Sequence, residues 1–320
     1  MGPTPGMGAQ FHCLWPQYTD SLRDAVLTKL AAARMSWVRI DVDWGILEET
    51  AKGAWHEGYV ALLYRCVDKS RAHGLNVLVG FWNLPRWASI GNASDYGDAA
   101  SWLATRYRGR IRAYEVWNEP NNSDFFGGTP TQYVALLKAA YAGIKAADSS
   151  ALVVFGSVMY NDASWISNAY AAGAKGNFDV LSTHPYQGDG TAPPEHPDDG
   201  GRHWYSHLPA VRQVMTTYGD SKPVWFTEWG WSAHANQSGT PGYALGVSEA
   251  VQSDYAVRAV NYARSQYPYV SAMFWYKERS WQPNSSLPSW QSAHLEGYGL
   301  LRADGSERPV YGALKSYLGG

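Results

Sequence analysis

Two short stretches end aromatic and β-branched runs in a carboxylate: Tyr114-Glu115-Val116-Trp117-Asn118-Glu119-Pro120 and Phe226-Thr227-Glu228-Trp229-Gly230-Trp231, with Glu119 and Glu228 separated by 109 positions. A strand end holds an acid more rigidly than a loop does, which matters when the acid must face a partner at a set distance. If Glu119 and Glu228 face each other, one can stay protonated and give its proton to a leaving oxygen while the other, ionised, attacks the carbon behind it. That division of labour cleaves a glycosidic bond. Other runs end in polar groups too: Arg39, Asp41 and Asp43 in one, Ser182, His184 and Tyr186 in another, Trp275 and Lys277 in a third. Side chains alternate along a strand, so each of the first two sets shares a face, and Val224, Phe226 and Glu228 point together by the same count. Arg39 beside Glu228 would lower its pKa, and an aromatic surround would raise that of Glu119. The competing reading makes both glutamates partners in structural ion pairs. Glu115, four residues before Glu119 on the same face and therefore deeper, reads as a buried hydrogen-bonding group. His184 could instead pack as a core histidine. Asp41 and Asp43 either accept sugar hydroxyls or pair with Arg39, and Lys277 and Glu278 either line the site or pair with each other.

The elements that must position these groups alternate. Apolar, β-rich runs lie at 7–12, 37–44, 76–82, 113–118, 152–158, 178–186, 223–231 and 270–277. Between them come amphipathic, helix-forming stretches such as 20–33, 59–73, 130–147, 203–218 and 248–266, and the tail 309–318 reads as a closing helix. Strand–helix alternation implies parallel strands with crossover helices, and about eight repeats predict a closed (β/α)₈ TIM barrel of the α/β class, one domain over residues 1–320. No Gly-x-Gly-x-x-Gly follows the first strand, which weakens a dinucleotide-binding sheet. Polar, Gly/Pro-rich stretches at 187–201, 232–246 and 278–299 follow the last three strands, where this fold builds its active-site loops.

Composition narrows the ligand class. Twenty-six basic against 28 acidic residues give a net charge of -2, with no basic stripe for nucleic acid and no polybasic patch for a membrane. Sixteen Trp and 22 Tyr supply flat apolar faces with one polar atom each, suited to stacking on sugar rings. Cys13 and Cys66 are too few for a disulfide scaffold or a multi-cysteine metal site and are expected as separate packed thiols. The loop Pro193-Pro194-Glu195-His196-Pro197-Asp198-Asp199-Gly200-Gly201-Arg202-His203 fits no ordered ligand motif and reads as a solvated loop, so no metal and no cofactor are expected. Sequons occur at Asn92, Asn121, Asn236 and Asn284, and a glycan on Asn121 would crowd Glu119, so that one is expected to be unused. Met1-Gly2-Pro3-Thr4-Pro5 lacks the charged and apolar regions of a signal peptide, as a trimmed mature chain would. Export to act on extracellular polysaccharide, as a monomer, is the expectation.

The ordered set of strand ends resembles the clan A glycoside hydrolases, the retaining cellulase-type (β/α)₈ enzymes that include families 5 and 39. The resemblance rests on "YEVWNEP" and "WFTEWGW" and extends over nearly the whole chain. It implies Glu119 as acid/base and Glu228 as nucleophile of a double displacement. It further implies Arg39 as the arginine that keeps the nucleophile ionised, Asn118 as the ligand of the sugar 2-hydroxyl, His184 and Tyr186 as the pair near the nucleophile, and Trp275 as the tryptophan under the cleaved sugar. The stretch "FWNLPRWAS", with Trp82 and Trp87, is similar to the third-strand loop of family 39 and its neighbours. Trp44, Trp82, Trp229, Trp231 and Trp275 are expected near the cleft, although alternation turns Trp229 away from the axis unless the chain bends after Glu228.

The reading is therefore a retaining O-glycosidase on a poly- or oligosaccharide. A transglycosylase would use the same residues, and a carbohydrate-binding barrel without catalysis would have no use for the pair. A zinc-dependent barrel hydrolase would need His-x-His or His/Asp sets at strand ends, which are missing. The sugar, endo or exo action, and family 5 against family 39 stay open, and acidic loops mildly disfavour a polyanionic uronate polymer.

Overall fold

The computed structural model describes residues 2–319. Eight parallel strands close into a barrel in sequence order: β1 (Gly6–Gln10), β2 (Trp37–Asp43), β3 (Asn76–Trp82), β4 (Ala113–Asn118), β5 (Leu152–Met159), β6 (Leu181–His184), β7 (Val224–Trp229) and β8 (Val270–Trp275), with β8 pairing back to β1. The helices are α1 (Asp20–Ala32), α2 (Trp44–Leu47), α3 (Glu57–Ala72), α4 (Ala93–Arg106), α5 (Pro130–Ala147), α6 (Ala163–Ala171), α7 (Leu208–Thr217), α8 (Glu249–Gln266), α9 (Ser289–Glu296) and α10 (Pro309–Gly319). Local chemistry sets their starts. Thr129 caps α5 in a capping box with Gln132 and Pro130 follows at the first turn; Thr19, Asp162 and Ser248 cap α1, α6 and α8.

The third and fourth strands run as expected, the second and fifth differ by one residue at their ends, and the first, seventh and eighth end two residues early. The largest change is at β6, which begins at Leu181 rather than at Phe178. The stretch expected as a helix over 203–218 becomes helical only at Leu208, after a 3₁₀ turn at Tyr205–His207. The loop after β8 contains the helix α9, which its Ser- and Pro-rich composition masks.

Alternation along the strands sorts the core into two. Outward-facing residues such as Val38, Ile40, Val77, Val79, Val153 and Phe155 pack under the helices. Inward-facing Leu78, Ala113, Val154, Trp225, Ala272 and Phe274, joined by Val180, fill the lower interior as an apolar plug. Above that plug lies a wholly buried polar layer of Gln10, Arg39, Glu115 and Ser182, and the mouth opens above it. Gly156 on β5 is required by close approach, because a Cβ there would sit 2.1 Å from the Val116 carbonyl oxygen.

Cys13 and Cys66 are not separate thiols. They form a disulfide that ties the segment after β1 to α3, with Cα atoms 6.0 Å apart. Only the packing of α1 and α3 against the barrel brings these positions, 53 residues apart, into reach.

Candidate active site

Arg39, fully buried on β2, organises the polar layer. Its Nε donates to Glu115 Oε2 at 2.8 Å, Nη1 to Gln10 Oε1 and Glu228 Oε1 at 2.8 Å each, and Nη2 to Asn118 Oδ1 at 2.9 Å. Asp41 Oδ1 lies 3.2 Å from Nη1, and Gln10 Nε2 steadies Asp41 Oδ2 at 2.8 Å. Ser182 donates to the other Glu115 oxygen at 2.7 Å, so Glu115 has the buried hydrogen-bonding role expected of it. Burial works against the guanidinium charge, but the fields of Asp41, Glu115 and Glu228 outweigh it and hold the proton more firmly than usual.

Simple alternation is broken on both strands that carry the candidate glutamates. On β7, Trp225 faces the interior plug while Val224 and Phe226 face the helices, so regular alternation would turn Glu228 outward. Between Phe226↔Met273 and Trp229↔Trp275 the strand carries one residue more than β8, and this bulge swings Glu228 inward and Trp229 out. On β4 the break is conformational: Trp117 takes φ 73° and Glu119 φ 42°, both in the left-handed region that side chains avoid. Trp117 thereby packs outward against Tyr96 and Phe126, and the consecutive residues Asn118 and Glu119 both serve the mouth. Backbone strain at a site is kept where surrounding packing over-determines it.

His184 on β6 joins the two carboxylates. Its Nδ1 lies 2.9 Å from Glu119 Oε1 and 3.8 Å from Glu228 Oε2. Tyr186 donates to Glu228 Oε2 at 3.0 Å. Burial disfavours a charged imidazole, yet Glu228 and the hydrogen bond and charge of Glu119 together raise the His184 pKa. For Glu228 the expectation is reversed. Burial, the largest influence, pushes its pKa above the ordinary carboxylate value, with His184 and Arg39 pulling it down and Glu119 and Asp41 pushing it up. The arginine alone does not decide the matter, because the same barrel interior that brings Arg39 close also strips water and adds two more carboxylates.

The mouth opens as a cleft with two arms that share Glu119, Phe125, Glu228 and Tyr276. One arm, about 480 Å³, runs over β1 to β4 and is bordered by His12, Trp15, Asp41, Asp43, Trp82 and Asn118. The other, about 330 Å³, runs toward β5 and the loops after β7 and β8. Trp15, Ile46, Phe125 and Tyr243, the large hydrophobic side chains left exposed among the described residues, all border this cleft.

The amino-acid profile of a known family, Cellulase (glycosyl hydrolase family 5), matches residues 3–279. The chain belongs to that family. No curated protein sequence matches this family 5 chain significantly. Among solved structures it is similar to a family 39 glycoside hydrolase from Bacteroides cellulosilyticus WH2 (TM-score 0.77, 21% identity, covering 99% of this chain and 64% of that one). It is also similar to a GH5_18 protein from Streptomyces cattleya solved in complex with GlcNAc (TM-score 0.76, 18% identity, 99% and 80% covered) and to the exo-β-1,4-mannosidase Op5Man5 from Opitutaceae bacterium strain TAV5 (TM-score 0.71, 17% identity, 99% and 59% covered). The family 5 chain thus spans less than two thirds of the length of the first and the last of these.

Several of the expected cleft residues lie elsewhere in the family 5 barrel. Trp275 is fully buried, donates to the Tyr298 carbonyl at 2.8 Å and packs edge-on against Trp229. Alternation explains it: Ala272 and Phe274 point inward, so Tyr276 and not Trp275 reaches the cleft. Trp229 goes into the same outer core with the bulge, and Trp231 is buried with its indole donating to Ala192 O. Trp44 is core as well, packed against Phe81, Trp87 and Tyr96 and bonded to Glu48 at 2.7 Å. Trp82 and Asp43 do border the cleft, though the Asp43 carboxylate is occupied in capping α2 and holding Asn83. Lys277 pairs with Glu296 at 3.2 Å, not with Glu278, and faces an adjoining chamber behind Trp15 and Tyr276. Asn121 is held by its own amide, which bonds the Met159 backbone. Asp198 pairs with His207 and His196 stacks on Trp204, and among the described residues no group of three or more His, Cys, Asp or Glu could hold a metal ion.

His12 is a cleft-side residue that the sequence reading passed over, and Glu278, expected to line the site or pair with Lys277, pairs with His12 instead. Glu278, fully buried, accepts from the His12 backbone at 3.0 Å and from Tyr18 at 2.7 Å, and lies 2.8 Å from His12 Nδ1. The rule applied to strands two, four, six, seven and eight would have found His12 had it been applied to strand one.

Proposed function

We propose that the protein is a retaining O-glycosidase that cleaves a poly- or oligosaccharide by double displacement, with Glu119 as acid/base and Glu228 as nucleophile. The observation that carries this is the shared nitrogen of His184, with one oxygen of each glutamate within 4 Å of it. That proximity is incompatible with most of the roughly 6.5–9.5 Å that an inverting enzyme keeps between its carboxyls to admit water, and it suits the about 5–5.5 Å of a retaining pair. In the first step Glu119 gives its proton to the glycosidic oxygen as the C1–O bond breaks and a Glu228 oxygen bonds to C1. In the second, water adds to C1, its proton passes to Glu119 and the Glu228 ester bond breaks, returning both groups to their starting forms. Arg39 and Tyr186 hold one Glu228 oxygen each, leaving the carboxylate oriented toward the cleft. Two carboxyls suffice for this chemistry, so the proposal includes no cofactor.

The buried Cys13–Cys66 disulfide supports action in an oxidising, extracytoplasmic setting, since such bonds are rare in reducing compartments. We propose that the protein works there as a monomer on a neutral carbohydrate substrate. The test is hydrolysis of a panel of aryl β-glycosides and polysaccharides by the wild type, Glu119→Ala and Glu228→Ala. Each variant is expected to lose roughly 10²–10⁴-fold or more in rate. Azide should restore Glu119→Ala and yield a glycosyl azide of retained configuration. Net inversion by the wild type, read by NMR of the first product formed, rules the mechanism out.

A further inference from the structure

The two arms of the cleft offer a ligand different chemistry. The β1–β4 arm presents Asp41, Asn118 and His12, groups that can hold the hydroxyls of the sugar whose anomeric carbon meets Glu228. The other arm is bordered by Phe125, Met159, Tyr243, Trp290, Leu295 and Tyr298. Beyond the shared glutamates, its one titratable group other than phenols is His294, which burial and then His234 lower to about 4, so the arm is otherwise uncharged at neutral pH. Two of its three amides are already engaged, and the third, Gln291, is not. Gln187 donates to the Pro193 carbonyl and accepts from Tyr205 N, while Asn122 turns its nitrogen to Glu119 and Met159 and its oxygen to Asp124 N. A sugar here would lose water from its hydroxyls and find phenols, the Gln291 amide and the His294 ring to replace it, whereas methylenes or an aryl ring would lose nothing against Phe125, Met159, Trp290 and Leu295. Tyr243, 47% exposed, and Phe125, 37% exposed, stand at its rim as apolar surface that such a group would cover.

We propose that this arm is an aglycone subsite for an apolar group, an alkyl chain or aryl ring joined to the glycosidic oxygen, in preference to a second sugar, which narrows the substrate class from poly- and oligosaccharides to alkyl or aryl glycosides. The proposal rests on the glycosidase assignment for its direction across the cleft. Its test uses methyl, hexyl and octyl β-glycosides of whichever sugar the wild type cleaves fastest as an aryl glycoside, together with the matching disaccharides. Alkyl leaving groups differ little in basicity, so differences among them report binding in the arm. kcat/KM should climb roughly two- to four-fold per methylene over the first carbons and exceed that of the disaccharide. Tyr243→Ala and Leu295→Asn should each cut the octyl-to-methyl ratio by about ten-fold. A flat series, or a disaccharide preferred over the octyl glycoside, overturns the proposal. Calorimetry with methyl, phenyl and octyl thioglucosides and thiomannosides separates the two assignments. Octyl or phenyl binding tighter than methyl in a protein that hydrolyses nothing keeps the apolar arm and removes the glycosidase, and whichever of the two binds tighter identifies chain or ring. Equal or absent binding across all three removes the apolar arm whatever the turnover.

Discussion

Replacing Arg39 by Met tests whether the buried polar layer is held by one cation. In the native barrel the guanidinium bonds Glu115, Glu228, Gln10 and Asn118 and lies 3.2 Å from Asp41. Met fills much of the same volume but leaves Glu115, with no exposure to solvent, facing two further carboxylates with only Ser182 as a donor. Removing one partner of a buried ion pair costs about 3–5 kcal/mol. Against a total of about 5–15 kcal/mol this is a large fraction, so a folded but weakened protein is expected. The pH dependence has a definite sign. Without Arg39, Glu228, already raised by burial, has a folded-state pKa further above the unfolded value of about 4.3, so the native state binds more protons than the unfolded state between those values. The deficit relative to wild type must then be small near pH 4.5 and grow as pH rises to 7.5, by about 1.4 kcal/mol for each unit of added upward shift. Urea unfolding of wild type, Arg39→Met and Arg39→Lys at the two pH values measures it, with lysine expected between the others because it keeps the charge and loses the fork. A deficit below about 1 kcal/mol, or one equal at both pH values, would refute the idea that Arg39 is the organising charge.

Three further outcomes follow from the structure. The acid limb of kcat/KM should lie above the ordinary carboxylate value, because burial raises the Glu228 pKa and the proposed mechanism needs it ionised; a limb at or below about 4.3 would contradict the desolvated site. Cys13→Ala/Cys66→Ala should lose about 4 kcal/mol in denaturant melts under non-reducing conditions, the chain-entropy value for a loop of 53 residues, and little further on adding reductant. Trp275→Ala should cost about 3–5 kcal/mol of stability as a core deletion, whereas Tyr276→Ala should retain most stability and raise KM; the reverse pattern would put Trp275 back under the sugar.

The sequence by itself determined the barrel and its candidate carboxylates. Strand–helix alternation is a property of local patterning, and parallel strands joined by crossovers leave one mouth at which all strand ends meet, so Glu119, Glu228, Arg39 and His184 could be grouped before any coordinates. It also determined Glu115 as a deep buried group, since four residues of strand keep one face. What it could not determine was which strands break their alternation. The count that turns Glu228 inward is made incorrect for the rest of β7 by the bulge, and the resemblance points to Trp275 where alternation from Ala272 onward brings Tyr276 to the cleft. The bulge and the left-handed residues Trp117 and Glu119 are imposed by neighbouring strands and packed helices, as are the approach of Cys13 to Cys66 and the crowding of carboxylates that raises Glu228. Each of these depends on groups far apart in the chain, and so on the free energy of the closed barrel rather than on any window of sequence.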